Sequence, residues 1–392
     1  MIHLAVGKLE IEWGKNNGFV DHAMLFQGER DIADVPYYYT SDADHSETVV
    51  EYQEGLSRPL KSITKRLDLL GHTLEHARAE YAELSELNGF SLDDYPFEEL
   101  QNVLKTVDVT SLSSDYGEGG EDFGKFFRRE VGPRLGMNEA SLDFSQGMEN
   151  LSSWTILRLL SENKTAQDLP VMWAFHDIET GGWEPRETFV RNLTPFEQIL
   201  IVTEGSTDAS VIRQAFKLLR PDIADFFRFV DMQEGYPFSG TGNLFRFVQG
   251  LISISATSDI LVLFDNDAAG IATYNRCSGL NLPDNFRVLK LPDLEAFGAF
   301  PTIGPTGESL ADINGRAAAI ECYLDLDAGA KVQWGGFNED MQTYQGALMG
   351  KDRHTRAFLK QTRRLNDYDY SKLERVVDAL VASASEMRGM RT

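Results

Sequence analysis

Two hydrophobic periods divide the chain. From Glu197 onward, apolar runs at 198–203, 226–231, 259–264 and 285–290 alternate with stretches at 208–220, 243–254 and 268–278 that carry helical spacing. Short apolar runs bounded by turn residues predict buried strands, and helices of ten or so residues between them predict βαβ units and a mainly parallel sheet. The first half reads differently. Residues 3–13 alternate loosely and predict one or two strands with a Gly-Lys turn. Residues 31–55 read as irregular and acidic around an apolar island, Val35-Pro36-Tyr37-Tyr38-Tyr39. Leu60, Ile63, Leu67, Leu70 and Leu74 predict a helix, as do Leu100, Val103 and Leu104 within 97–107. Helices are also expected at 123–131 and 153–163, with a Ser/Gly/Asp loop at 111–122 and a boundary with room for a short strand across 169–193, where Pro170, Gly181, Gly182 and Pro185 fall. Beyond the fourth apolar run the pattern predicts a helix at 310–324 and a helical tail after Trp334-Gly335-Gly336. The expected organisation is a mostly helical α+β domain at 1–194, an α/β domain at 195–330 and a helical, locally basic extension at 331–392.

The candidate chemistry sits where the first and third of those strands end. The first runs into Glu204-Gly205-Ser206-Thr207-Asp208, the third into Asp265-Asn266-Asp267-Ala268-Ala269-Gly270. Open α/β sheets bind their ligands at the carboxyl ends of their strands. Asp265 and Asp267 are two apart and share a side if strand geometry persists through them. If the first and third strands are neighbours, Glu204, Asp208, Asp265 and Asp267 converge. Carboxylates about 4 Å apart repel by roughly 4 kcal/mol per pair at a surface-like dielectric, so such a cluster calls for a cation. Hard oxygen ligands select Mg²⁺ or Mn²⁺ over Zn²⁺, and a metal so held suits phosphodiester cleavage. The competing reading is plain helix capping by Asp208 and Asp267, worth about 1 kcal/mol each. It leaves Glu204 and Asp265 unexplained.

Composition narrows the setting. The formal net charge is −24 over 392 residues. It is uneven, with 36 acidic and 17 basic side chains in residues 1–200 against 25 and 20 in the remainder. That balance argues against broad non-specific nucleic-acid binding. It leaves room for a metal-assisted site with a local basic patch, such as Lys351, Arg353, Arg356, Lys360, Arg363 and Arg364. No apolar run approaches the length of a membrane span, and no secretory pattern opens the chain. Cys277 and Cys322 form no framework, and the expected location is cytoplasmic.

The two carboxylate motifs resemble the signatures of the Toprim fold, a Rossmann-like α/β architecture shared by topoisomerases, bacterial primases, OLD-family nucleases and small RNA-maturation nucleases. The likeness covers about 195–330. It implies Glu204 as metal ligand or general acid/base, and Asp265 and Asp267 as Mg²⁺ ligands. OLD-like nucleases use a further acidic residue and a lysine, for which Glu321 and Lys351 are the candidates. Lys331 and Lys360 compete with Lys351, which would neutralise a transition-state phosphate. The segments Leu9-Glu10-Ile11-Glu12-Trp13-Gly14-Lys15-Asn16 and Val35–Tyr39 resemble the N-terminal region of bacterial HEPN/Toprim-associated proteins. That likeness implies a metal-dependent nuclease of antiviral defence. DNA and RNA, including transfer RNA, stay open as substrate. So do an activator or partner protein and a homo-oligomer. An idle Toprim module that senses a ligand is the reading from a different class. No Gly-x-x-x-x-Gly-Lys-Ser/Thr occurs, so an ATPase would be a separate chain.

Three weaker signals compete. Gly240-Thr241-Gly242-Asn243 opens a helix and offers backbone amides to a phosphate. His72-Thr73-Leu74-Glu75-His76 matches the inverted zinc-protease motif, with no third ligand identifiable. Arg66 and His72 fit the loose spacing of metal-free HEPN ribonucleases, but six residues is about 240° around a helix.

Overall fold

The alternation at 3–13 becomes β1 (Ile2–Val6) and β2 (Leu9–Gly14), joined at Gly7, whose φ of +57° makes the turn. The computed structural model describes residues 1–40, 48–112, 122–137, 141–230 and 240–391. The expected loop at 111–122 falls largely outside them. The chain divides into two compact units, one of 1–192 with 388–392, the other of 193–387.

The first unit is α+β. Its sheet is five-stranded in the order β2-β1-β5-β4-β3, with β3 at Ile32–Thr40, β4 at Thr48–Pro59 and β5 at Pro170–Ala174. One expectation is corrected here. Within the stretch read as irregular, Ile32–Thr40 and Thr48–Pro59 are two long antiparallel strands. Their acidic residues and Pro36 looked irregular, yet β3 is the sheet edge, where proline and charge are tolerated. The short strand allowed within 169–193 is β5, the central strand of the sheet, because it pairs with both β1 and β4. Helices α1 (Leu60–Leu69), α2 (Leu74–Asn88), α3 (Phe97–Leu104), α4 (Phe123–Phe126), α5 (Leu142–Met148), α6 (Ser153–Leu160), α7 (His176–Thr180) and α8 (Arg186–Phe189) accompany it. The single helix expected through Leu74 is two helices, broken at Gly71, φ +95°. Leu60, Ile63, Leu67, Tyr81, Leu100 and Trp173 join one core.

The second unit carries the parallel sheet. Strands β6 (Ile199–Thr203), β7 (Phe227–Phe229), β8 (Ile260–Phe264) and, beyond the short β9 (Asn266–Asp267), β10 (Phe286–Lys290) lie in the order β10-β8-β6-β7, all parallel. Helices α9 (Ser206–Leu219), α10 (Thr241–Ser253) and α11 (Ala268–Ser278) supply the crossovers. β6 and β8 are buried along their whole length, as parallel strands covered on both faces must be. The helix expected at 310–324 is absent. After β11 (Phe300–Gly304), the end of β12 (Gly307–Ala311), β13 (Ala317–Ala318) and a 3₁₀ turn at Ile320–Tyr323 stand in its place. The tail is not all helix either. β14 (Val332–Asn338) and β15 (Thr343–Leu348) complete a second sheet, β12-β11-β14-β15, before α12 (Lys351–Leu359) and α13 (Ser371–Gly389).

Candidate functional site

β6 and β8 pair directly, Thr203 against Leu263, so Glu204 and Asp265 emerge side by side from the same sheet edge. Backbone amides anchor one oxygen of each strand-end carboxylate. The Asp265 amide donates to Glu204 Oε1 at 3.3 Å, and the Ile320 amide donates to Asp265 Oδ1 at 3.1 Å. The two helix-start carboxylates also cap. Asp208 accepts from the Gly205 amide at 2.9 Å, and Asp267 accepts from the Gly270 amide at 2.7 Å. Capping and clustering therefore hold together, since each cap engages one oxygen of a carboxylate.

Glu321 and Lys351 reach this place by a route the strand pattern does not reveal. β13 pairs antiparallel with β9, which draws the following 3₁₀ turn onto Asp265. Glu321 is only 5% exposed, and Lys351 Nζ, at the start of α12, stands 3.3 Å from its Oε1. Glu204, Asp208, Asp265, Asp267, Glu321 and Lys351 thus share one electrostatic neighbourhood. Burial, reinforced by Asp267, pushes Glu204 up to about 8. Burial, reinforced by Glu321, pushes Asp208 up to about 7. Asp265 is raised well above the usual carboxylate range by burial and by the other carboxylates, and Asp267 is raised by burial against the pull of two amides. The attraction of Glu321 holds the Lys351 ammonium more firmly charged than usual.

The donor set is all hard oxygen and fits a divalent cation such as Mg²⁺ or Mn²⁺. Its present geometry is not a closed cage. Among the described residues no three histidine, cysteine, aspartate or glutamate side chains gather around one point as a metal requires.

Asn266 is the positioning residue that spacing did not single out. It is fully buried, donates to Asp293 Oδ1 at 2.9 Å and accepts from the Gly315 amide at 2.9 Å. That ties the loop before β13 to the strand bearing Asp265 and Asp267. Only its place between two aspartates marked it. Gly270 is equally constrained, since a Cβ there would lie 2.2 Å from the Asp265 carbonyl oxygen and 3.0 Å from Glu204 Oε1. Gly270→Ala is expected to destabilise the chain by about 1–3 kcal/mol, the usual cost of overpacking; a chemical-denaturation midpoint equal to wild type would contradict it.

Gly240 and Gly242 stand apart from this group in the contacts seen. The Gly240 carbonyl accepts from the Asn243 and Leu244 amides of its own helix, and a Cβ on either glycine would meet nothing within 4 Å. Lys331 pairs with Glu308 at 2.5 Å. Cys277 and Cys322 are buried free thiols.

A family model described as HEPN/Toprim N-terminal domain 1 matches residues 1–197. The chain belongs to that family. No curated protein and no solved structure gives a significant match. The HEPN/Toprim N-terminal domain ends just before β6 begins, so the match covers the first unit and stops short of every carboxylate described above.

Within the HEPN/Toprim N-terminal domain, neither histidine signal gathers three metal-capable side chains among the described residues. Arg66 is fully buried and donates to the Met24 and Phe26 carbonyls at 3.0 and 2.8 Å, so it ties α1 to the preceding loop. His72 lies in the break before α2, so His72 and His76 do not share one helix face. Its ring packs edge-on against Trp154 and His76, with centroids 4.7 and 4.9 Å away. Burial, with the neighbouring His76, pushes it down to about 4, which leaves it neutral at physiological pH. His76 faces Glu80 at 3.8 Å. Among the described residues no helix is long and apolar enough to cross a membrane.

Proposed function

We propose that the second unit is a Toprim domain and that the chain is a divalent-metal-dependent nuclease cleaving phosphodiester bonds in nucleic acid. The observation that carries this reading is the gathering of four half-buried carboxylates from two adjacent parallel strands and their helix starts, with the buried Glu321 and with Lys351 brought to them by the β9–β13 pairing. A purely structural module gains nothing from keeping mutually repelling acids together. Glu204, Asp208, Asp265, Asp267 and Glu321 would hold Mg²⁺ or Mn²⁺, which when bound supplies water activation and charge neutralisation at the leaving oxygen. Lys351 has a role of its own: its ammonium, which pairs with Glu321, would move onto a phosphate oxygen. Without the ion, Glu204 or Asp208 would hold a proton near neutral pH, which the ion displaces on binding. The likeness to HEPN/Toprim-associated proteins supports a role in bacterial antiviral defence.

A sensor module without cleavage is the second reading. It is favoured by the Lys351 ammonium, which already pairs with Glu321, one of the acids the ion would need. One experiment separates the two. Plasmid, linear and single-stranded DNA and total RNA are incubated with the full chain in Mg²⁺, Mn²⁺ or EDTA. Cutting that requires metal is the expected result, and the panel names the polymer. Metal binding by calorimetry without any cutting would favour the sensor, and cutting that survives EDTA would contradict both.

A further inference from the structure

The sheet β12-β11-β14-β15 has a face with an unusual surface. Trp334, Phe337 and Tyr344 share it. Trp334 and Phe337 are three apart, but the register shifts between them, so Trp334 pairs with Gly346 and Phe337 with Tyr344. A bulge of one extra residue puts both on the same face as Tyr344. Glycines make room for the indole. A Cβ on Gly346 would sit 3.0 Å from Trp334 Cε3, and one on Gly304 would sit 3.3 Å from its Cδ1. The face is buried at Val332 and Leu348 and opens outward to Phe337, 49% exposed, and Tyr344, 53% exposed. Their rings meet edge to face, with centroids 5.4 Å apart.

This ledge begins beside the carboxylates. The Arg316 guanidinium lies 4.5 Å from the centre of the Trp334 ring, and the Arg316 backbone bridges Asp267. From the other end of β15 the chain passes through Gly350 into α12, whose first residue is Lys351. Along α12 an open cleft of about 690 Å³ is lined by Lys351, Arg353, Arg356 and Lys360 with one acid, Asp352; Lys351 pairs with Glu321 and Arg353 with Asp327. Arg356, Lys360 and Arg363 are exposed and make no ion pair among the described residues, in a chain whose net charge is −24. Unpaired cations in an acidic protein complement an anionic polymer, and exposed ring faces complement bases that are not already stacked in a duplex.

We infer that the polymer taken by this site is single-stranded nucleic acid, its bases stacking on the Trp334–Phe337–Tyr344 ledge and its phosphates following α12. The inference rests on the nuclease reading for its location, and binding tests it separately from cleavage. Fluorescence anisotropy of the full chain in EDTA is measured with labelled oligo-dT, oligo-rU and a duplex of the same length. Both single strands are expected to bind more tightly than the duplex, and the dT and rU arms rank DNA against RNA. Phe337→Ala with Tyr344→Ala is expected to weaken single-strand binding by about tenfold per ring and leave duplex binding unchanged. Tyr344→Phe keeps the ring and retains binding, which separates stacking from misfolding. Arg356→Ala with Lys360→Ala is expected to weaken all probes and to flatten the salt slope by roughly 0.7 per lost phosphate contact. Duplex binding as tight as single-strand binding, an unchanged affinity in the double aromatic variant, or no binding of any probe would overturn the inference. Single-strand binding without metal-dependent cutting would remove the nuclease reading and leave the ledge; cutting without single-strand preference would do the reverse.

Discussion

Asp265→Asn is expected to abolish cleavage and, in the same protein, to raise the stability of the metal-free fold. The two effects have one cause. Asp265 is buried among Glu204, Asp208, Asp267 and Glu321, and its ionisation is opposed by burial and by each of them. Asparagine keeps the shape and keeps an oxygen for the Ile320 amide, so the contact that seats the Glu321 turn survives. What disappears is the charge. Losing one preorganised charge-stabilising group commonly costs about 10²–10³ in rate, and a lost metal ligand is expected to cost at least that. Meanwhile one source of repulsion leaves the native state, so thermal unfolding in EDTA should move up. A site kept for stability gives the opposite pattern, with lower stability and unchanged cutting. Cleavage within tenfold of wild type would remove Asp265 from the chemistry.

The parallel sheet was legible because its signal is local. Ile199–Thr203 and Ile260–Phe264 are unbroken apolar runs, each followed by helical spacing, and burial on both faces leaves no alternation to confuse them. The four strand-end and helix-start carboxylates could be named for the same reason. Glu321 was named by resemblance, and its setting was misread. Arg316-Ala-Ala-Ala-Ile-Glu321 has the propensity of a helix, but Ala317 and Ala318 pair with Asp267 and Asn266, about fifty residues away, and tertiary pairing overrode propensity. No local period encodes that register. The β11–β15 sheet was hidden in another way. β12, β14 and β15 are largely exposed and each carries glycine, and Gly346 leaves room for the Trp334 ring rather than making a turn. In the first unit, Pro36 and the acids of Ile32–Thr40 and Thr48–Pro59 masked two strands whose edge position makes those residues acceptable.

The metal-free protein should lose stability as pH rises from about 4 to about 8, and Mg²⁺ should restore it most at the upper end. Glu204 is pushed up to about 8 and Asp208 to about 7, from ordinary values of 4.5 and 3.8. A carboxyl raised by folding holds its proton more tightly in the native state than in the unfolded chain. Below its ordinary value both states are protonated and the group is neutral in the balance. As pH climbs past that value the unfolded chain releases its proton first, and the native state is progressively disfavoured. Above the raised value the native carboxyl is ionised too, and the full penalty persists. A tenfold change in proton affinity corresponds to about 1.4 kcal/mol, which makes the Glu204 contribution on the order of a few kcal/mol. A divalent cation competes with the same protons, so its stabilisation should grow with pH and its binding should release protons near neutrality. Thermal unfolding across this range, in EDTA and in Mg²⁺, with Glu204→Gln as reference, isolates the cluster from every other acid in the chain. The wild type and Glu204→Gln curves should diverge as pH rises, and the Mg²⁺ stabilisation should be largest for wild type at about pH 8. Parallel curves with no dependence of the Mg²⁺ effect on pH would mean that these carboxylates neither repel in the free protein nor receive the ion.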